Sequence, residues 1–300
     1  MKKIHSNGKL LITGEYLVLD GAISLALPCN YGQSLSFKSH NKNILNWISL
    51  DVNKEIWFEA SFEASSFKVQ KTSDNNIVKW VQKILKASSE LSKSKKKLKG
   101  TIINELEFPS NWGLGSSSTL LNNISNLYEI DPYDLHFSTT NGSGYDIACA
   151  SCNSSLTYQI INDKPIVNPV DWNPDYKNEI IFIYLNKKQK SNLEIKRYNK
   201  LKKNPDLVNQ ISNITKKIIK SKNITEFEKL IDQHELIISE LMQTKTVKEK
   251  YFSDYNGSIK SLGAWGGDFI LATKNNKNYF LEKGFNTVFS FSELIKNKNY

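Results

Sequence analysis

The chain has 300 residues, 39% of them hydrophobic and 23% charged, with 14 glycines and 7 prolines. That balance fits one large or two ordinary folded domains and excludes wholesale disorder and fibrous repeats. No run approaches the ~18 apolar residues of a membrane-spanning helix, and residues 1–13 hold no apolar block ending in a small-residue cleavage site. A cytoplasmic protein with no membrane partner is expected.

The formal charge of +10 invites a nucleic-acid reading, but Arg197 is the only arginine among 40 basic residues. Readers of DNA or RNA gather guanidinium groups and aromatic rings on one face. Here the lysines are scattered, and their densest run, residues 93–99, reads as a solvated connection. No nucleic-acid partner is expected. Three cysteines, Cys29, Cys149 and Cys152, cannot all pair, which fits a reducing compartment. Cys149 and Cys152 lack the second half of a zinc site, and their small-residue surroundings predict core packing.

In chain order, short β-like runs cover residues 10–13, 23–27, 34–37, 44–50 and 56–62. Helical spacing begins with Ile77, Val81, Ile84 and Leu85 and ends at the lysine run. A strand over 101–108 precedes the breaker 109–115, and a second helix carries Leu120, Leu121, Ile124, Leu127 and Tyr128. Asp131-Pro132 predicts a capped short helix, and another follows Gly142-Ser143-Gly144. Strands at 154–161 and 166–167 flank an Asp-Lys-Pro turn. The polar stretch 168–178, with two prolines, places a domain boundary near 165–178. Beyond it come a strand at 179–185, a helix opened by Ser191, and another bearing Leu207, Ile211, Ile214 and Ile218. A further helix has the capping box Thr225-x-x-Glu228 and a stripe that includes His234, read as a core histidine. Strands at 259–262 and 269–273 enclose a glycine loop. The four histidines show no catalytic spacing.

The strongest chemical signal is Pro109-Ser110-Asn111-Trp112-Gly113-Leu114-Gly115-Ser116-Ser117-Ser118-Thr119. Two glycines let the backbone aim several N–H groups at one anion, and the following helix adds four unpaired donors and a positive dipole end. A polyphosphate suits such a cradle. No Gly-Lys-Ser/Thr closes it as a Walker A loop, and it is not a nucleophile elbow.

Two more segments, Gly8-Lys9-Leu10-Leu11-Ile12-Thr13-Gly14-Glu15-Tyr16 and Leu262-Gly263-Ala264-Trp265-Gly266-Gly267-Asp268, complete a set of three. In order and spacing the set resembles the motifs of the GHMP kinases, ATP-dependent kinases of small molecules. Gly142-Ser143-Gly144-Tyr145-Asp146-Ile147-Ala148 resembles the aspartate-bearing helix start of that family. The resemblance implies an α/β fold, with a ribosomal-protein-like ATP-binding domain over 1–170 and a ferredoxin-like α+β domain over 171–300. It implies ATP and Mg²⁺ as cofactors, held by Gly113, Leu114, Gly115, Ser116, Ser117, Ser118 and Thr119, with the metal on Ser117. It implies Asp146 as general base or orienting group with Lys9 beside it. Glu15, Tyr16, Gly144, Lys190, Ser191, Gly266 and Gly267 would contact a small-molecule substrate. The motifs look most like those of mevalonate and phosphomevalonate kinases, so a small anionic acceptor is expected, handled by a monomer or homodimer.

Two features depart from the pattern. Where mevalonate kinase relatives carry a magnesium-binding glutamate, this chain has Leu135 and His136. Its third loop also carries Trp265 and Asp268, the latter a candidate replacement ligand. The alternatives are a catalytically silent sensor of nucleotide or metabolite, and an ATP-dependent diphosphomevalonate decarboxylase, whose first motif differs from this one.

Overall fold

The structure, a computed structural model, describes residues 2–187, 191–263, 265 and 267–296. The chain forms two compact units. One comprises Met1–Gly8, Tyr31–Ser110 and Leu114–Ser151, the other Lys9–Asn30, Asn111–Gly113 and Cys152–Tyr300. This division differs from a single cut near residue 170. The last boundary along the chain lies at 151/152, and Lys9–Asn30 joins the second unit, where residues 24–26 pair with a later strand.

Strands β1 (Lys2–Leu11) and β2 (Ser24–Ser39) pass through both units. β2 absorbs two of the expected short strands. Pro28 and Gly32 read as breaks, yet in β2 both keep useful roles: the Pro28 carbonyl accepts the Lys296 N–H at 2.9 Å, and the Gly32 N–H donates to the Glu107 carboxylate at 2.8 Å.

In the first unit, β3 (Ile44–Leu50), β4 (Ile56–Glu63), β5 (Val69–Thr72) and β6 (Gly100–Leu106) build a sheet in the order β5-β4-β3-β6-β2. Only β3 and β6 run parallel in it, joined through α1 (Ile77–Leu91). Burial alternates strictly along β3 and β6, as expected of strands with one covered face. Leu45, Trp47, Phe58 and Phe62 from the sheet meet Val81, Ile84 and Leu85 of α1 and Leu121, Ile124 and Tyr128 of α2 (Ser116–Tyr128). Asp131 caps α3 (Pro132–Thr139) as its sequence predicts, accepting the Tyr133 N–H at 2.7 Å. The short α4 (Tyr145–Ser151) follows Gly144 and buries Cys149.

In the second unit, β7 (Leu156–Ile161) and β8 (Lys164–Pro169) form a hairpin. Its turn is Asn162-Asp163, with φ of 50° and 60°, one position ahead of the expected Asp-Lys-Pro. The expected strand near 179–185 is β9 (Ile181–Tyr184), followed by α5 (Ser191–Tyr198), α6 (Pro205–Lys220), α7 (Ile224–Met242) and α8 (Val247–Tyr251). Asn223, not Thr225, caps α7, accepting the Glu226 N–H at 2.9 Å. Glu228 instead accepts a bond from the Thr273 hydroxyl, so the expected capping box does not form. After β10 (Ile259–Ser261) and β11 (Phe269–Ala272) come α9 (Lys277–Glu282), β12 (Val288–Ser290) and α10 (Phe291–Leu294). The four strands form an antiparallel sheet in the order β10-β11-β9-β12, giving this unit its α+β character. The segment after α10 clasps β2: Ile295 bridges Cys29, and the Asn30 amide donates to the Ser292 and Glu293 carbonyls. No described helix is long and apolar enough to cross a membrane.

Ile183 lies on the central strand β9 and is fully buried. Ile183→Ala should cost about 2–5 kcal/mol, the usual range for a core truncation, read as a lowered midpoint in urea unfolding; a change under 1 kcal/mol would mean that this sheet is not the core of its unit.

Candidate functional site

In the second unit, Lys9, Leu10 and Leu11 of β1 line a narrow crevice with Trp112, Gly113, Leu262, Gly263, Asp268 and Phe269. Residues from the ends of the first motif, the serine loop and the third loop therefore share one small wall. Trp112 anchors the serine loop there. Its ring lies 6.2 Å from Tyr184, 5.9 Å from Phe269 and 5.4 Å from Phe289, and the Tyr184 hydroxyl donates to the Asn111 carbonyl at 3.0 Å. With the ring pinned, the next residue must turn sharply, and Gly113 does so at φ 71°. A Cβ at Gly113 would meet the Asp268 carboxylate at 2.5 Å, so glycine is required twice over, by conformation and by contact.

Asp268 itself sits at φ 51°, an uncommon conformation for a residue with a side chain. Its backbone holds it there, the N–H donating to the Lys187 carbonyl at 2.7 Å and the carbonyl accepting the Leu185 N–H at 2.8 Å, which prolongs the pairing of β9 and β11. Gly267, buried just before it, and Gly263, at φ 70°, give the loop its turns.

In the first unit, α2 begins at Gly115, which has φ 91° and no side-chain cap. The 13-residue helix thus opens with a first turn that no side chain caps, a setting made for an anion. Ser116 is partly exposed and Ser117 exposed on this turn. The hydroxyls of Ser118 and Thr119 are engaged within the protein. The Ser118 hydroxyl donates to the Gly115 carbonyl at 2.8 Å, and the Thr119 hydroxyl donates to Gln33 Oε1 at 2.7 Å. The Thr119 N–H is spent on the Gly115 carbonyl. Both side chains are buried and serve the helix. Leu114 is likewise a core side chain, leaving only its main chain for a ligand.

Asp146, in the first turn of α4, accepts the Ile147 N–H at 3.1 Å on Oδ1 and is partly exposed. Gly144 at φ 88° precedes it. Leu135 and His136, standing where the resemblance places a glutamate, are buried. Among the described residues no three His, Cys, Asp or Glu side chains gather as a metal site. That does not disqualify magnesium, which is commonly held by one or two carboxylates together with substrate phosphates. Lys190 and Gly266 lie outside the described residues, and of Ser191 only its place at the start of α5 is described.

Glu15, expected as a substrate contact, has partners within the protein. It is fully buried in the second unit, with Oε1 2.6 Å from the Lys260 ammonium. Lys260, also fully buried, reaches Glu235 at 3.3 Å and the Ser261 carbonyl at 3.0 Å. Glu235 also accepts the Ser261 N–H at 3.1 Å and the Trp265 indole N–H at 3.3 Å. Burial pushes the Glu15 carboxyl up to about 7 despite Lys260, and it raises Glu235 as well. His234 is held well below the usual imidazole range, first by burial and then by Lys260. Its Nε2 accepts the Gly14 N–H at 3.0 Å and lies 3.2 Å from Glu15 Oε2, two acceptors that a proton on Glu15 would reconcile. His234 is therefore a core histidine, as its place on the apolar stripe implies. Lys260 is the residue that the sequence conceals, a lysine inside a short apolar strand.

Tyr16, next along, has φ 61° and accepts the Trp265 N–H on its hydroxyl at 3.1 Å. Its ring stacks on Tyr198 at 5.6 Å, and Tyr198 donates to Asp20 at 2.6 Å.

No protein-family model and no curated protein matches the chain. Solved structures do. Mevalonate kinase from Methanococcus jannaschii superposes with a TM-score of 0.71 at 15% identity, covering 99% of this chain and 98% of that one. Phosphomevalonate kinase from Streptococcus pneumoniae, in complex with phosphomevalonate and AMPPNP, gives 0.72 at 14% identity, with 97% and 100% covered. Galactokinase from Lactococcus lactis, complexed with galactose, gives 0.69 at 13% identity, with 96% and 92% covered. The chain has the GHMP kinase fold. It spans that fold almost from end to end.

Two outcomes follow for the stability of this GHMP kinase fold. Lys260→Met leaves two buried carboxylates without their cation and should cost about 3–5 kcal/mol, measured by urea unfolding at neutral pH. Gly113→Ala should cost at least ~1–2 kcal/mol from its φ alone. Measured against the Asp268→Gly single variant, which lacks the clashing carboxylate, Gly113→Ala should still cost ~1–2 kcal/mol, and no cost there would show that φ at residue 113 is not a constraint.

Proposed function

We propose that the protein is an ATP-dependent kinase that transfers the γ-phosphate to a hydroxyl or phosphate of a small anionic metabolite, with mevalonate or phosphomevalonate as the favoured acceptor. The observation that carries this reading is the opening of α2. Gly115 starts a 13-residue helix with no side-chain cap, directly after Gly113, so main-chain N–H groups and the helix dipole face whatever the loop holds. A triphosphate is the common occupant of such an arrangement, and the fold and motif order support it.

Phosphoryl transfer asks for little covalent work from the protein; it needs the phosphates held, their charge balanced and the alcohol aimed. ATP supplies the phosphoryl group, and magnesium offsets its charge. In this reading the amides of Gly113–Ser117 hold phosphate oxygens, and Ser117 offers the hydroxyl that the metal uses. Lys9 balances charge on the transferring group. Asp146 orients the acceptor hydroxyl and takes its proton as the new O–P bond forms and ADP departs. An odd number of cysteines fits a reducing, cytoplasmic setting.

A second reading has a specific observation behind it. Asp268 places a carboxylate directly against Gly113, and no glutamate replaces Leu135 or His136. A sensor that binds nucleotide without turnover would tolerate both.

Purified protein with ATP, Mg²⁺ and a panel of mevalonate, phosphomevalonate, homoserine and galactose separates the readings. Turnover of one acceptor is expected, and Asp146→Asn should slow it by roughly 10²-fold or more while ATP binding persists. ATP binding with no turnover of any acceptor would favour the sensor.

A further inference from the structure

The first motif bends more sharply than its glycine alone demands. Gly14 turns at φ 93°, and Tyr16 sits at φ 61° and ψ −52°, with the Leu17 N–H donating to the Glu15 carbonyl at 2.7 Å. This is the γ-turn that is rare and strained for a residue with a side chain. Strain of this kind persists only where the surroundings fix it. Before the turn, Thr13 is fixed: its hydroxyl lies 2.7 Å from that of Thr215 on α6 and accepts the Leu25 N–H at 2.9 Å. Within the turn, the fastening runs through Glu15.

The charges around Glu15 balance only if one carboxyl carries a proton. The titratable groups that meet there are Glu15 and Tyr16 from the turn, His234 and Glu235 from α7, and Lys260 from β10, all of them buried. One ammonium, two carboxylates and a neutral imidazole would leave a net negative charge away from water, which is costly. Glu235 is the carboxylate rich in donors, with Lys260, the Ser261 N–H and the Trp265 indole. Glu15 is divided. Its Oε1 takes Lys260, whereas Oε2 receives no donor and faces His234 Nε2 at 3.2 Å, a nitrogen that already accepts the Gly14 N–H. Because Nε2 accepts, the imidazole proton lies on Nδ1, which is buried with no partner of its own. A proton on Glu15 Oε2, donated to Nε2, removes the excess charge and supplies the missing donor at once. His234 then holds two consecutive residues of the turn, Gly14 by its N–H and Glu15 by its acid. Burial, which keeps the Glu15 carboxyl up at about 7 against the pull of Lys260, acts in the same direction.

We infer that Glu15 is a positioning residue held as a neutral acid, and that its proton, bonded to His234, latches the strained turn of the first motif onto α7. When the proton leaves, two acceptors face each other and the turn relaxes, carrying with it the Tyr16 hydroxyl that holds the Trp265 N–H of the third loop. The effect on turnover rests on the kinase reading above; the latch itself does not.

Glu15→Gln tests the latch, because a glutamine amide donates to His234 and accepts from Lys260 at any pH. Infrared difference spectra of the full chain should show a carboxylic-acid C=O band at about pH 6 that vanishes at about pH 8.5 and is missing from the variant at both; no such band in the wild type would overturn the inference. Between 4.5, the ordinary value, and about 7 the folded chain keeps a proton that the unfolded chain has lost, so stability falls as pH rises through that window. The unfolding constant should climb up to about tenfold per pH unit more steeply in the wild type than in Glu15→Gln. His234, kept neutral in both chains, cancels from the comparison. Equal slopes would count against the latch. With ATP and the turned-over acceptor, wild-type kcat should drop several-fold from about pH 6 to about pH 8.5 while Glu15→Gln stays level. Glu15→Leu, shown by thermal unfolding to be folded, should be slow at every pH; a leucine variant as fast as the glutamine one would sink the positioning role. No turnover of any acceptor would remove the kinase reading, and the infrared and unfolding results would still decide the latch.

Discussion

The second unit is organised around one ammonium group with no access to water. Lys260 lies between Glu15 and Glu235, and each of the three side chains belongs to a different element: the turn after β1, α7 and β10. Such a trio is seldom worth more than a well-packed apolar cluster, because the cost of removing the charges from water consumes the Coulomb attraction. What it provides is registration. Glu15 can meet Lys260 in only one arrangement of its turn, and that arrangement sets Gly14 on His234 and Tyr16 on Trp265. The first motif is thus read by the fold before it is read by any ligand.

The same economy governs the serine loop. Trp112 is locked among three aromatic rings, Gly113 turns where a side chain could not, and Gly115 begins the helix without a cap. Rigid packing on one side of the loop and unpaired main-chain donors on the other are two aspects of one design. Hydroxyls that look like ligands in the sequence, Ser118 and Thr119, are drawn into the packed side.

Periodicity made the helices α1, α2, α6 and α7 legible, because each has one apolar stripe and one polar face. The two-period strands of the first unit were equally plain. What stayed hidden depended on pairing over long distances. β2 was broken by its own proline and glycine, whose partners, Lys296 and Glu107, lie far along the chain. The cap of α7 falls on Asn223, while Glu228 bonds Thr273 from far along the chain. At the candidate site, the glycine loops and Asp146 stood out by motif, whereas Lys260 and Glu235 did not. A lysine in a short strand and a glutamate on a helix carry no local signature; only the tertiary fold pairs them.

The clasp of residues 292–296 on β2 also shapes how the protein comes into being. Its contacts join positions more than 260 residues apart, so the closure entropy of nearly the whole chain is paid late. The first motif, threaded through the segment that this clasp secures, is synthesised well before its partners. The first unit is complete at Ser151 while the second still awaits residues 152–296, which makes that interval the moment of greatest exposure to chaperones and proteases.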